Sequence, residues 1–431
     1  MTPEEFVHVL EEWSTVGGSF PRFAAHDIAT AAEAEAVCNA LASPHVYAVN
    51  GIEMPALFDL AAFFQSVEAR EAFDIFRDRG LPVLRRILRD ALNRPPETGE
   101  DDWAVTQRRE ADLFVVKILA LYCQRDDGAR IVEAARDPRL SNGYLWSTIF
   151  GIVAEQHPDA IEISERLKNP LPDGYAGLAY LDFANALACN GTISQHPFDS
   201  DAGIARLCGY LGDRNPESYG DAVSAAAGIP FVNAAARDML LGKADHHPDS
   251  LVRLEAAWAY AKTGSEFGRQ RLAQLCLNPR LAERAIRYLE ELGLDAHIPA
   301  KARDPDFRAM AQMCSWLMHP NEFGRPPDQI TQYDTRELNW PPSRERCRLW
   351  LFKYRYEPRD DGAGAQEGVG LVGPVTFALR DATADLAPED VYGLHCCREL
   401  RWSGDPRAPE TCTAAAGRNI IAEINPGFAR A

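Results

Sequence analysis

Along the first 92 positions the apolar residues recur at helical spacing. Phe6, Val9, Leu10 and Trp13 share one stripe behind Pro3-Glu4-Glu5, where a proline and two acids suit the free N–H groups of a first turn. Residues 29–41 are rich in alanine, and 57–76 and 81–92 continue the helical pattern, with Gly80-Leu81-Pro82 as the expected break. Residues 93–102 (NRPPETGEDD) read as a linker. From Val105 the segments shorten and the punctuation becomes regular. Asp137-Pro138, His157-Pro158, His196-Pro197, His247-Pro248, Asn278-Pro279 and Asp304-Pro305 each follow a helical stretch, because proline cannot continue it. Glycines at 191, 228, 264 and 293 mark further helix stops, spaced 37, 36 and 29 residues apart.

Residues 249–293 show an internal echo. A shift of 29 places Gly264 on Gly293, Tyr260 on Leu289, Ala257 on Ile286 and Ala256 on Ala285. A unit that recurs with its stop in register buries its apolar face by stacking on its neighbours. With Asp249, Val252-Arg253, Ala256-Ala257 and a closing Leu292-Gly293, this stretch resembles a HEAT repeat. The likeness extends over about residues 105–317 and implies an armadillo-like α-solenoid. Solenoids of that kind are mostly interaction scaffolds; a few resemble DNA-alkylation repair enzymes or bilin lyases.

Beyond Met318 the period changes. Residues 319–342 are proline-rich and read as a connection. In 348–356 (RLWLFKYRY), Trp350, Phe352, Tyr354 and Tyr356 alternate with Leu349, Leu351, Lys353 and Arg355, the period of a strand. Residues 369–379 alternate likewise, so the two pair as a hairpin across the polar loop 358–368, with Pro374 at an edge or bulge. Helices are expected from Pro388 to Leu400 and over 414–424. The predicted architecture is mainly α: a helical region at 1–104, a HEAT-like solenoid at 105–318, a connection at 319–343, and a small α+β cap at 344–431 that contains the β-hairpin and shields the solenoid end.

The 431 residues carry a formal charge of −18, which opposes general nucleic-acid binding and suits solubility or a basic partner. The start, MTPEEFVHVLEEW, lacks the basic and apolar regions of a signal peptide, and the apolar run at 113–123 is interrupted by Lys117 and too short for a bilayer. Ten scattered cysteines without a CxxC read as reduced thiols in a cytoplasmic protein.

Candidate chemistry is sparse. Gly368-Val369-Gly370-Leu371-Val372-Gly373 matches G-x-G-x-x-G but is followed by strand rather than helix, so it reads as glycine relief in a hairpin. His395-Cys396-Cys397 point about 100° apart on a helix and do not converge; only His395 and Glu399 share a face, with Cys412 a distant possible partner. Asp249, beside His246 and His247, reads as a helix N-cap. The arginines at 77, 79, 85, 86 and 89 read as a solvated face with long stems covering apolar surface, in preference to a ligand site. Residues 336–360 hold seven basic residues against four acidic ones, interleaved with aromatics: an anion- or peptide-recognition stretch, or a guard on an exposed strand edge.

These features predict a non-enzymatic scaffold or adaptor that binds a protein or peptide, with a basic partner as the subclass the net charge suits, and with Arg348, Trp350, Tyr354, Tyr356, His395 and Glu399 as the contact residues. The alternative is an enzyme or small-molecule site between solenoid and cap. No catalytic, cofactor-binding or metal-ligating residue is assigned, and neither nucleic acid nor membrane is expected as a partner.

Overall fold

The structure is a computed structural model that describes residues 1–23, 26, 28–47, 53–62, 70–95, 102–319, 322–358, 364–379 and 385–428. The centre of the expected linker (96–101), part of the 57–76 helix (63–69) and the tip of the 358–368 loop (359–363) lie outside them. The chain divides into two compact units, Met1–His247 and Pro248–Ala431, a division that does not follow the expected boundaries at 104, 318 and 343.

In the first unit, local chemistry sets the helix starts. Thr2 and Thr30 form capping boxes with Glu5 and Glu33, which satisfy free backbone donors at the heads of α1 (Pro3–Val16) and α2 (Ala31–Ala42). After α3 (Glu53–Ala62) and α4 (Arg70–Ile75), the expected break before Pro82 is absent. Instead the chain passes through a π-helical turn, Phe76–Gly80, straight into α5 (Leu81–Leu92). Pro82 is the second residue of α5, directly after the π-helical turn. Then follow α6 (Asp102–Tyr122), α7 (Gly128–Arg136), α8 (Trp146–Gln156), α9 (Ala160–Leu167), α10 (Gly174–Cys189), α11 (Asp201–Gly212), α12 (Tyr219–Gly228) and α13 (Ala234–Asp245). Helices α6, α8, α10 and α12 pack side by side in that order, while α7 packs on α9 and α11 on α13. Phe150 of α8 stacks on Phe183 of α10, with ring centres 5.4 Å apart, in the middle of the longer row. Gly191 takes the positive φ expected of a helix stop. Gly228 does not stop its helix by that route; a Cβ there would come within 2.9 Å of Asn185, so this glycine serves close packing.

The second unit opens with α14 (Ser250–Lys262), α15 (Glu266–Leu275) and α16 (Ala282–Glu291), the stretch with the internal echo. Asp249 caps α14 by accepting from the Leu251 and Val252 N–H groups, and Gly264 and Gly293 both have positive φ. On α15, Gly268 lies so close to α14 that a Cβ would meet the Ala261 nitrogen at 2.3 Å. Helix α17 (Pro305–Leu317) follows. Next comes an antiparallel sheet in the order β1 (Gln329–Trp340), β2 (Glu345–Tyr356), β3 (Gln366–Val372), β4 (Phe377–Leu379). Then α18 (Pro388–Trp402) and α19 (Ala414–Ile424) complete the unit.

The predicted hairpin is β2–β3, and Pro374 falls in the bend between β3 and β4. Strand β1 corrects the expectation of a connecting segment. Its register slips between Gln332 and Asp334, so Ile330 faces α17 while Leu338 and Trp340 face α18 and α19. A bulge that exchanges faces in mid-strand erases the period-two signal. The sheet thus has a core on each side. Leu349, Leu351, Val369 and Leu371 pack toward α18 and α19, while Phe352, Tyr354, Tyr356 and Val372 pack on Ala309, Met313 and Leu317 of α17. The three glycines of the G-x-G-x-x-G stretch make room for neighbours: Gly368 for the Tyr354 ring, Gly370 for Met313 and Gly373 for Leu349.

Candidate functional site

The contact residues expected from the sequence are dispersed and mostly buried. Tyr354 and Tyr356 are each 2% exposed, packed against α17 rather than offered to a partner. Trp350 is partly covered there too, and its Nε1 donates to Asp306 Oδ1 at 2.8 Å, as does Arg348 Nη2 at 2.7 Å. His395 is fully buried; neither ring nitrogen has a hydrogen-bond partner among the described residues, and desolvation lowers its pKa to about 3. Glu399 accepts from Trp340 Nε1 at 2.8 Å, and burial raises its pKa. The shared helix face does not make a shared site: His395 lies against Phe377 of β4, and Glu399 against the end of β1. Among the described residues no group of three or more His, Cys, Asp or Glu is arranged to hold a metal ion.

The excess positive charge of 336–358 is largely neutralised in place. Arg336 pairs with Asp334 and Glu389, Arg346 with Glu337, Arg348 with Asp306, and Arg355 with Glu357 and Glu367. Lys353 lies 4.9 Å above the Tyr333 ring. Arg359 and Asp360 lie outside the described residues.

A more open arrangement of cations occurs in the first unit. The apolar face of α5 (Leu81, Leu84, Ile87, Leu88, Ala91) is buried, which turns Arg85, Arg86 and Arg89 toward α7. Between the two helices runs a cleft of about 520 Å³, walled by those three arginines and Arg130, with Leu88, Leu92 and Ala129 as apolar floor. It adjoins a second hollow of about 390 Å³ along α7 and α9, edged by Arg125 and Arg166; the two share Asp126, Ala129 and Arg130. Carboxylates of Asp126, Glu133, Asp159 and Glu162 also reach these walls.

One buried acid organises the cleft. Asp127, 0% exposed, stands in the 3₁₀ turn Arg125–Asp127 ahead of α7. It accepts two bonds from Arg85, from Nε at 2.8 Å and Nη2 at 2.9 Å, and a third from Arg130 Nη1 at 3.2 Å. This pairing raises the Arg85 pKa and fixes both guanidinium planes. Arg86 has no carboxylate partner among the described residues, and Arg89 touches only its neighbour Asp90, at 3.4 Å. Two oriented guanidinium groups, one weakly held by Asp90 and one, Arg86, with no carboxylate partner among the described residues, over an apolar floor suit carboxylates interleaved with apolar side chains. The basic stripe of α5 is legible in the sequence. Its facing partners, some 40 residues further along, are not, since no local period links Arg86 to Arg130.

Compared with protein families, with curated proteins and with solved structures, the chain matches none. Among the described residues no helix is long and apolar enough to cross a membrane.

Proposed function

We propose that this chain is a non-enzymatic binding scaffold of the α-solenoid kind, working in the cytoplasm, and that the α5–α7–α9 cleft takes an acidic, partly apolar peptide segment of a protein partner. The side-by-side row of α6, α8, α10 and α12, and the echo over α14 to α16, support the scaffold reading. The observation that carries the choice of partner is the set of accessible guanidinium groups around Arg86 over an apolar floor, in a protein of charge −18. Net charge by itself points to a basic partner, but local geometry decides what docks, because screening limits distant charges to about a Debye length, roughly 8 Å at physiological salt.

Fluorescence anisotropy with a labelled peptide of alternating Glu and Leu tests this. The acidic peptide is expected to bind, and its Lys/Leu counterpart to bind more weakly. The double variant Arg86→Glu, Arg89→Glu alters exposed side chains only and should weaken binding by at least about tenfold, or about 1.4 kcal/mol. The same change of charge at Arg346, which is 72% exposed in the second unit, should leave binding unaltered. Equal binding of both peptides, or an unaffected double variant, overturns the assignment of the cleft.

A further inference from the structure

The second half of α18 and the loop leading into α19 bring two thiols together. Cys397 is buried on α18, and its Sγ points to the Thr413 carbonyl oxygen at 3.5 Å. Cys412, the residue before Thr413, is partly exposed, and the contact of Cys397 Sγ with the Thr413 carbonyl places the two cysteines side by side. Arg401, one turn along α18, directs Nη1 at Cys412 Sγ from 3.9 Å and is held there by the Glu410 carbonyl oxygen, 3.2 Å from Nη2. Cys396 takes no part; it faces the sheet with Val391, Tyr392 and Leu400. The two adjacent cysteines that do not converge on a metal thus serve different surroundings. One is a core side chain, and the other is half of a thiol pair.

We infer that Cys397 and Cys412 form a reversible, redox-sensitive disulfide, with Cys412 as the sulfur attacked first by a hydroperoxide and Cys397 as the resolving thiol. Burial separates the roles, since an oxidant reaches the partly exposed sulfur beside a guanidinium before the covered one. The Cys412 thiolate attacks one peroxide oxygen: an S–O bond forms, the O–O bond breaks, and the departing oxygen leaves as hydroxide or alkoxide and takes up a proton. Cys397 sulfur then attacks the sulfenic sulfur. The S–S bond forms, the S–O bond breaks, and water leaves with the Cys397 proton. Two electrons pass from the two sulfurs to one hydroperoxide, and exchange with a dithiol returns both thiols. The cross-link ties the second half of α18 to the head of α19, whose N-cap is Thr413.

The test uses the full-length wild-type protein. It is reduced, treated with one equivalent of hydrogen peroxide, blocked with N-ethylmaleimide and mapped by peptide mass spectrometry. The expected result is one linked peptide, Cys397 to Cys412, with two of the ten cysteines lost from alkylation and both recovered after dithiothreitol. Cys396→Ser should leave the link intact, Cys412→Ser should abolish it, and Arg401→Gln should slow its formation at least about threefold. A link through Cys396 or Cys347, oxidation of Cys412 that stops short of Cys397, or a wild-type map with all ten thiols alkylated after peroxide overturns the inference.

Discussion

His196 shows how one buried side chain ties the fold to pH. Its Nε2 donates to Asn185 Oδ1 at 3.2 Å, while Nδ1 accepts the Phe198 N–H at 3.3 Å. That arrangement specifies the neutral Nε2–H tautomer, and protonation would place a second N–H against the Phe198 amide. Desolvation accordingly lowers the pKa from 6.5 to about 4, and His157 shifts in the same direction. Between these values the unfolded chain binds the proton that the folded chain refuses. The contribution of His196 is therefore present above pH 6.5 and lost as pH falls toward 4, a change of about 3 kcal/mol. Glu255 and Glu399, whose pKa values burial raises, act in the opposite sense, so the comparison must be with a variant. Urea midpoints measured across this range should fall more gently with acid in His196→Gln than in wild type; parallel slopes would show that His196 does not govern this window. Such a group is invisible in sequence, where His196-Pro197 reads only as a helix stop.

Close approach between elements depends on missing side chains. Helices α18 and α19 meet where a Cβ on Gly417 would lie 1.8 Å from the Gly393 carbonyl oxygen, and α14 and α15 meet at Gly268. Gly417→Ala should force the pair apart and lower stability by about 1–3 kcal/mol, read as a drop in urea midpoint with loss of amide protection in α18 and α19. An unchanged midpoint would mean that the two helices separate at no cost. At this scale much was legible: the Thr263-Gly264 and Leu292-Gly293 stops, the Asp249 cap, and the pairing of β2 with β3. Two elements were not. The bulge at Tyr333 puts Ile330 and Leu338 on opposite faces of β1, and the π-helical turn carries the chain past Gly80 without a break. Both are departures from a regular period, which is the very signal that sequence reading uses.

Across the whole molecule, the charge of −18 works against the compact state by self-repulsion. Salt screens this, so the melting temperature should rise between about 10 and 150 mM sodium chloride, as the Debye length shortens from roughly 30 to 8 Å. Acidic-peptide binding at the Arg86 cleft should weaken over the same range. Opposite trends separate the two effects, and a melting temperature that falls with salt would count against repulsion as the dominant electrostatic term. Sequence by itself determined the helical character, the positions of most helix ends and the central hairpin, because these follow from residues within a turn or two of each other. It also marked Arg85, Arg86 and Arg89 as a basic stripe, and Trp350, Tyr354 and Tyr356 as one side of a strand. Tertiary structure alone decided what those stripes do: Asp127 and Arg130 turn the first into a cleft wall, while Ala309, Met313 and Leu317 cover the second. Whether a charged or aromatic face is open or covered is a property of what folds against it, and that partner lies about 40 residues away in the chain, beyond the reach of any local period.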